Sequence, residues 1–361
     1  MSAMIRIAIA GVGNCASSLL QSIAVARRNG TVSGLIREQI GPWGAADIEV
    51  VAAFDIDKRK VGLPLSQAAF AQPNCTWVFE RDLSIHTTTV CMGPILDGIA
   101  PHMLEETEER GFRPSDAESV NVAEVLRASG AEILVCYLPV GSELAVQHYA
   151  QACLDAGVAL VNCVPVFIAS NPEWEARFRK AGLPLVGDDI KSQLGATIVH
   201  RMLAWLFDMR GIRIDRTYQL NTGGNTDFRN MLARERLESK KKSKTASVQS
   251  MLGEPIPAGN VHIGPSDYVH WQEDNKVCFI RMEGRGLGDA PVELEMRLSV
   301  QDSPNSAGVV LDAIRCIKLA LAGGVSGALL PVCAAYMKSP PQQMHDLESR
   351  QQCDAFISKL S

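Results

Sequence analysis

Three kinds of residue in this chain carry the means for a reaction: glycines in a turn, aspartates at strand ends, and lysines far apart in sequence. Gly11-Val12-Gly13-Asn14-Cys15-Ala16 follows the apolar run Ile5 to Ala10 and opens a helical pattern from Asn14 to Ala26. Strand, glycine turn and helix in that order suit a dinucleotide. Glycine lets the backbone turn tightly and approach a pyrophosphate, which the free N–H groups of the helix then face. Ala16 stands where the usual fingerprint ends in glycine, and close helix–strand packing tolerates it. A second strand, Ile48 to Phe54, ends in Asp55. That carboxylate would hold a ribose 2′-hydroxyl and repel a 2′-phosphate, favouring NAD over NADP. Asp55 lies 42 positions after Gly13 instead of the usual about 20, so the chain between Arg28 and Asp47 must carry the excess.

Lys240, Lys241, Lys242 and Lys244 lie in the run ESKKKSK, Lys276 follows Asp274-Asn275, and Lys338 sits in YMKSPP. A solvated face explains such charge on spacing alone; the functional reading is an anion clamp that holds a phosphate and stabilises an enolate or alkoxide. Asp188-Asp189-Ile190-Lys191-Ser192 closes another strand, either as a carboxylate–lysine couple able to relay a proton or as a helix N-cap. Asn221-Thr222-Gly223-Gly224-Asn225 reads as a hairpin or loop turn. None of the seven histidines forms HxxxH or HExxH, and His262 and His270 stand eight apart across a Gly-Pro turn. They read as structural or solvated, and no metal set is predicted. Cys163, in NCVPVF, has the type for an aldehyde-dehydrogenase nucleophile, but no histidine neighbours it in sequence and it reads as core.

The elements that must position these groups alternate. Beyond the first two strands, Ala131 to Tyr137 is a strand ending in Leu138-Pro139-Val140-Gly141-Ser142, Glu143 to Ala156 a helix, and Ala159 to Val164 a strand. Pro172 to Lys180 is a helix and Leu183 to Gly187 a strand, whereas residues 62 to 120 are less regular. This order predicts an α/β fold with a Rossmann-like doubly wound parallel sheet, whose ligands bind beyond the carboxyl ends of the strands. IRIDRTYQL, VCFIRMEG and VELEMRLSV instead alternate with period two, predicting an inserted α+β domain on a largely antiparallel sheet before helical periodicity returns at Ser306. The boundaries expected are 1-197 with 305-361 for the nucleotide domain and 198-304 for the insert. Leu237 to Ser250 is polar and lysine-rich.

The chain has 361 residues, 47% hydrophobic and 21% charged, with net charge −5. It can bury a large core, and its slight acidity argues against nucleic acid or anionic membrane as partners. Ten cysteines at irregular positions, with no CxxC pair, match reduced, cytoplasmic usage. Neither a signal peptide nor an apolar stretch of about 18 residues is evident.

Assembled in order, GVGNCASSL, AAFDID, LPVGSE, PVFIASNP, GDDIKSQLGAT, LNTGGNTDF, ESKKKSKTASV, HIGPSDY, QDSPNSAG and MKSPP resemble the myo-inositol-1-phosphate synthase family in its short bacterial form. The resemblance spans nearly the whole chain, although the turn differs from the eukaryotic GWGGNNG. It implies NAD-dependent oxidation of D-glucose 6-phosphate at C5, enolisation, attack of C6 on the C1 aldehyde, and re-reduction to 1D-myo-inositol 3-phosphate with no net redox change. It also implies a homotetramer. By the same resemblance Lys240, Lys244, Lys276 and Lys338 form the catalytic and phosphate-binding set, with Asp189 and Asp227 orienting lysines or binding hydroxyls. Lys276 attends the aldehyde oxygen, Lys240 transfers a proton at C5, and a lysine of depressed pKa serves as base. Gly11, Gly13, Asn14, Cys15, Asp55, Leu138, Pro139, Gly141, Ser142 and Asp188 hold the cofactor. The rival readings are a semialdehyde or homoserine-type NAD-dependent dehydrogenase, and a non-catalytic NAD-binding scaffold.

Overall fold

The computed structural model describes residues 4–233 and 256–361, so Lys240, Lys241, Lys242 and Lys244 lie outside the described residues. Six strands come first: β1 (Ile5–Ala10), β2 (Ile48–Asp55), β3 (Val90–Met92), β4 (Ile133–Cys136), β5 (Ala159–Asn162) and β6 (Pro184–Val186). They are followed by β7 (Arg213–Gly223), β8 (Val261–Tyr268), β9 (Asn275–Arg285), β10 (Pro291–Gln301) and β11 (Gly327–Ala328). A seven-stranded sheet runs β11-β6-β5-β4-β1-β2-β3, with every pairing parallel. The order reverses between β1 and β4, where such a sheet leaves a crevice at its carboxyl ends.

Alternation along β1 shows why both faces of this sheet are covered. Ile5, Ile7 and Ile9 enter one core with the helices Asn14–Asn29 and Asp302–Ala322, while Ala8 and Ala10 enter another with Val122–Ser129 and Glu143–Ala156. Side chains two apart share a face, so six residues serve two layers. The long helix Asp302–Ala322 packs in the first of these cores, against Asn14–Asn29.

The excess chain ahead of β2 is irregular and docked on that helix. Arg37 pairs with the buried Asp312 at 2.8 Å, and Arg315 donates to the carbonyl oxygens of Arg37 and Glu38 at 2.9 Å each. These bonds satisfy backbone that no ladder serves.

The second sheet runs β10-β9-β7-β8. β9 is antiparallel to both β10 and β7, but β7 and β8 are parallel. β8 has no counterpart among the expected strands, and β3 falls in the stretch read as irregular. Asn221 to Asn225 is the end of β7 followed by a helix cap, not a hairpin: Asn225 accepts from the Asp227 and Phe228 amides. Gly224 is required there, because a Cβ would lie 2.5 Å from the carbonyl oxygens of Val269 and His270.

The helix Glu143–Ala156 takes its cap from a distance. Ser142 makes no capping bond, and Asp97 instead accepts from the Leu144 and Ala145 amides at 2.8 and 2.9 Å. Asp97→Ala should therefore lower unfolding free energy by about 1 kcal/mol in a urea titration, the usual value of a cap.

Candidate active site

One cavity collects residues from the carboxyl ends of β1, β2, β4, β5 and β6 and faces β7, β8 and β9 across it. At its floor Gly11 has φ +92°, and a Cβ there would lie 2.8 Å from the Tyr137 carbonyl oxygen. Gly13 differs, since a Cβ on it would meet no protein atom within 4 Å and would project into the cavity. The helix Asn14–Asn29 begins at Gly13 with no side-chain cap and no acid in its first turn. Its leading N–H groups are thus available to an anion.

Asp55 ties this turn to β2. One oxygen accepts from the Val12 amide at 2.8 Å, the other from the Ile56 and Asp57 amides at 2.7 and 2.9 Å. Three of roughly four lone-pair positions are filled, leaving one for a hydroxyl donor. Lys60, absent from the sequence-based set, is buried beside it. Its Nζ donates to the Val12 carbonyl at 2.8 Å and Asn74 Oδ1 at 3.0 Å, and lies 3.9 Å from Asp55.

Asn14, Cys15, Leu138 and Pro139 line the cavity, but Gly141, Ser142 and Asp188 do not. Gly141 takes φ +84° behind it, and Ser142 is fully buried. Asp188 is spent on structure. Its carboxylate accepts from Asn162 Nδ2, the amides of Ile168, Ala169 and Ser170, and the Ser170 hydroxyl. Burial nevertheless pushes it up to about 6, so these five donors only partly offset the lost hydration. It shapes the loop after β5.

Asp189 does reach the cavity, and its lysine is not the one sequence proximity suggested. Lys191 points away, donating to the Ala334 carbonyl at 2.7 Å and lying 3.4 Å from Asp346; burial lowers it to about 8. Asp189 pairs instead with Lys338 at 2.9 Å, 149 positions on. Backbone bonds from Lys338 to Asp189 and from Ser339 to Asp188 bring the segments together. Asp189 itself has φ +61°, a sparsely used region that Asp tolerates better than most residues and that often marks functional positions.

Across the cavity Lys276 lies 3.3 Å from Asp302 and 5.6 Å from the centre of the Phe228 ring. Burial acts to lower its pKa, but Asp302, followed by Asp227, outweighs it and holds the ammonium above its ordinary value. Lys276 is thus held as a protonated ammonium, without the pKa depression that a lysine base would need. Behind it, Asp274 accepts from the Ser303 hydroxyl at 2.7 Å and Asn225 Nδ2 at 3.0 Å, welding β9, the helix Asp302–Ala322 and the end of β7. Burial raises Asp274 to about 6. Asp302, Asp274 and Ser303 were visible in sequence only as neighbours in motifs.

The described lining thus joins Lys60, Lys276 and Lys338 with Asp55, Asp189, Asp227 and Asp302. Both cysteines in it are protonated thiols. Burial pushes Cys15 up to about 12, and burial, with Cys136 and Cys15 next, holds Cys163 well above the usual thiol range. A nucleophile needs the opposite shift. Cys163→Ala should keep turnover within about threefold, as expected for a small core thiol, and iodoacetamide should label it slowly.

A family model described as Myo-inositol-1-phosphate synthase matches residues 195–303. The Inositol-3-phosphate synthase of Mycobacterium tuberculosis (strain CDC 1551 / Oshkosh) is 51% identical over 359 residues, covering 99% of this chain and 96% of that protein. The protein of the same name from Corynebacterium glutamicum is 51% identical over 361 residues, covering 98% of each. A solved myo-inositol-1-phosphate synthase-related protein from Thermotoga maritima MSB8 shares the fold at TM-score 0.81 and 23% identity over 98% of both chains. Similarity of that extent, along nearly the whole length of the chain, makes it a member of the myo-inositol-1-phosphate synthase family.

Proposed function

We propose that the chain binds NAD and converts D-glucose 6-phosphate to 1D-myo-inositol 3-phosphate without net redox change. Relatives named Inositol-3-phosphate synthase at 51% identity support it. The observation that carries it is the opening of the glycine turn and two ammonium groups of distant origin, Lys276 and Lys338, into one cavity.

The residues present fit the cofactor: Gly11 lets the turn pack against the end of β4, Gly13 leaves room for a pyrophosphate, Asn14 and Cys15 open the uncapped helix, and Asp55 retains room for a ribose hydroxyl. Leu138 and Pro139 flank it, whereas Gly141, Ser142 and Asp188 act from behind by shaping their loops. NAD, when bound, supplies the acceptor that takes a hydride from C5 and gives it back.

The ketone made at C5 acidifies C6, and loss of that proton gives an enolate whose C6 attacks the C1 aldehyde. Lys276, kept protonated by Asp302 and Asp227, meets the oxyanion growing at C1. Lys338, held by Asp189, meets the oxygen at C5. The described lining carries one more carboxylate than ammonium, so a phosphate dianion requires further cations. Lys240 and Lys244 supply them in this proposal, with Lys240 also moving the proton at C5.

Incubation with glucose 6-phosphate and NAD should yield a cyclitol phosphate while the NADH absorbance stays flat; steady NADH accumulation would instead identify a net oxidoreductase. The same proposal assigns residues 1-197 and 305-361 to cofactor binding, 198-304 to catalysis and assembly, and the active form to a cytoplasmic homotetramer, which light scattering would weigh. Among the described residues no helix is long and apolar enough to cross a membrane.

A further inference from the structure

Against the glycine turn lies a lysine whose protons the protein uses only in part. Lys60 is 3% exposed, and its ammonium stands 2.8 Å from the Val12 carbonyl oxygen, 3.0 Å from Asn74 Oδ1 and 3.9 Å from Asp55 Oδ2. Lys60, Asn74 and Asp55 all line the cavity, and so do Gly11 and Gly13 on either side of Val12. The charged end of the side chain is therefore the end that meets the cavity.

The protons can be followed one at a time. Asn74 Nδ2 donates to the carbonyl oxygens of Val12 and Ala69 at 3.1 and 3.0 Å, which fixes that amide with Oδ1 toward Lys60. The Val12 oxygen thus takes one donor for each of its lone pairs and has none left. Of the three N–H groups on the Lys60 ammonium, Val12 and Asn74 accept two. The third is left with Asp55, and 3.9 Å is beyond a hydrogen bond, which ends near about 3.2 Å.

Asp55 mirrors this shortfall. Its Oδ1 accepts from the Ile56 and Asp57 amides, whereas Oδ2, the oxygen nearer Lys60, accepts from the Val12 amide alone. An unused donor and an unused acceptor therefore stand on two sides of a gap too wide for them to close directly. Leaving both unmet at a water-poor site is costly, so the gap calls for an occupant. One oxygen that gives a proton to Asp55 and takes one from Lys60 fills it, at about 2.8 Å from each. A hydroxyl meets that requirement; an ether or phosphate oxygen, which can only accept, does not. The opposite charges of Lys60 and Asp55 also favour a neutral group between them over an added anion.

We infer that Lys60 is a specificity-determining residue for the cofactor: it donates to the adenosine 2′-hydroxyl of NAD while that hydroxyl donates to Asp55. The inference rests on reading the glycine turn as the NAD site. A pair that reads both the proton and the lone pair of one hydroxyl discriminates more sharply than a carboxylate alone, because a ligand lacking the group leaves two charged partners unmet.

Titration calorimetry with NAD and with its analogue lacking the adenosine 2′-hydroxyl provides the test. The parent should bind the deoxy analogue about 100-fold more weakly than NAD, about tenfold for each of two charge-assisted bonds. In Lys60→Met that ratio should shrink to about tenfold, the share of Asp55 alone. The ratio decides, because losing the grip on the Val12 carbonyl weakens both ligands alike and cancels. A ratio unchanged by the substitution means that the gap holds a water, or that Lys60 serves the turn and nothing else, and overturns the inference. Should the methionine variant fail to fold, Lys60→Gln, shorter and uncharged but still able to donate, carries the same comparison with the same expected ratio. A parent that binds no NAD overturns the cofactor reading and this inference with it. One that binds NAD with the full ratio yet makes no cyclitol phosphate overturns the proposed reaction and leaves the role of Lys60 standing.

Discussion

Lys276→Ala should reduce turnover by about 10²–10³-fold, the usual loss when one preorganised charge is removed from a developing oxyanion. Its affinity for NAD should survive, because Lys276 stands on β9, across the cavity from the glycine turn that would hold the cofactor. The pair distance of 3.3 Å to Asp302 makes the effect specific. In the parent, two carboxylates fix the ammonium. In the variant they face the substrate unopposed, so charge repulsion adds to the lost attraction. Single-turnover rates with glucose 6-phosphate, set beside NAD titration calorimetry, separate the two quantities. A fall smaller than about tenfold would exclude Lys276 from any direct role at the reacting oxygens. Its raised pKa carries a second expectation: an alkaline limb of the rate profile near neutrality must come from another group.

Gly11→Ala should weaken NAD binding by at least about 100-fold and lower unfolding free energy by about 1–3 kcal/mol. The new methyl would sit 2.8 Å from the Tyr137 carbonyl oxygen and 3.0 Å from its carbon, both backbone atoms at the end of β4, and φ +92° disfavours any side chain. Something in the turn or the strand must move. Gly13→Ala is the informative contrast. Its φ of −92° suits alanine and no protein atom lies within 4 Å, so it should fold as well as the parent yet bind NAD poorly, its methyl occupying the cavity. Equal loss of stability in both variants would mean that Gly13 is held for the chain's sake and not for a ligand's.

The doubly wound half was legible because its strands are short apolar runs punctuated by glycine and aspartate, and its helices carry their own period. β1, Glu143–Ala156 and Pro172–Lys180 begin and end where the pattern places them. β3 was not legible: three residues inside an irregular stretch carry no period. Nor was β8, because Gly264-Pro265 interrupts the alternation of VHIGPSDY. Within the site, the residue types were readable and the pairings were not. Lys191 is two positions from Asp189, yet Lys338 makes the bond, because the segment that follows β6 and the segment after the helix Leu330–Tyr336 run side by side. Lys60 reads as one more charge in FDIDKRK, and only the folded chain reveals that its ammonium is enclosed beside the turn.

β10 passes into the helix Asp302–Ala322 without a single intervening residue. A helix advances about 100° per residue, since 3.6 residues complete a turn. One amino acid added between Gln301 and Asp302 would therefore act like a slipped tooth on a gear. It would either swing Asp302 and Ser303 away from Lys276 and Asp274, or force the helix to rotate against Asn14–Asn29 and unseat their shared packing. Length at this joint is thus fixed by both elements at once.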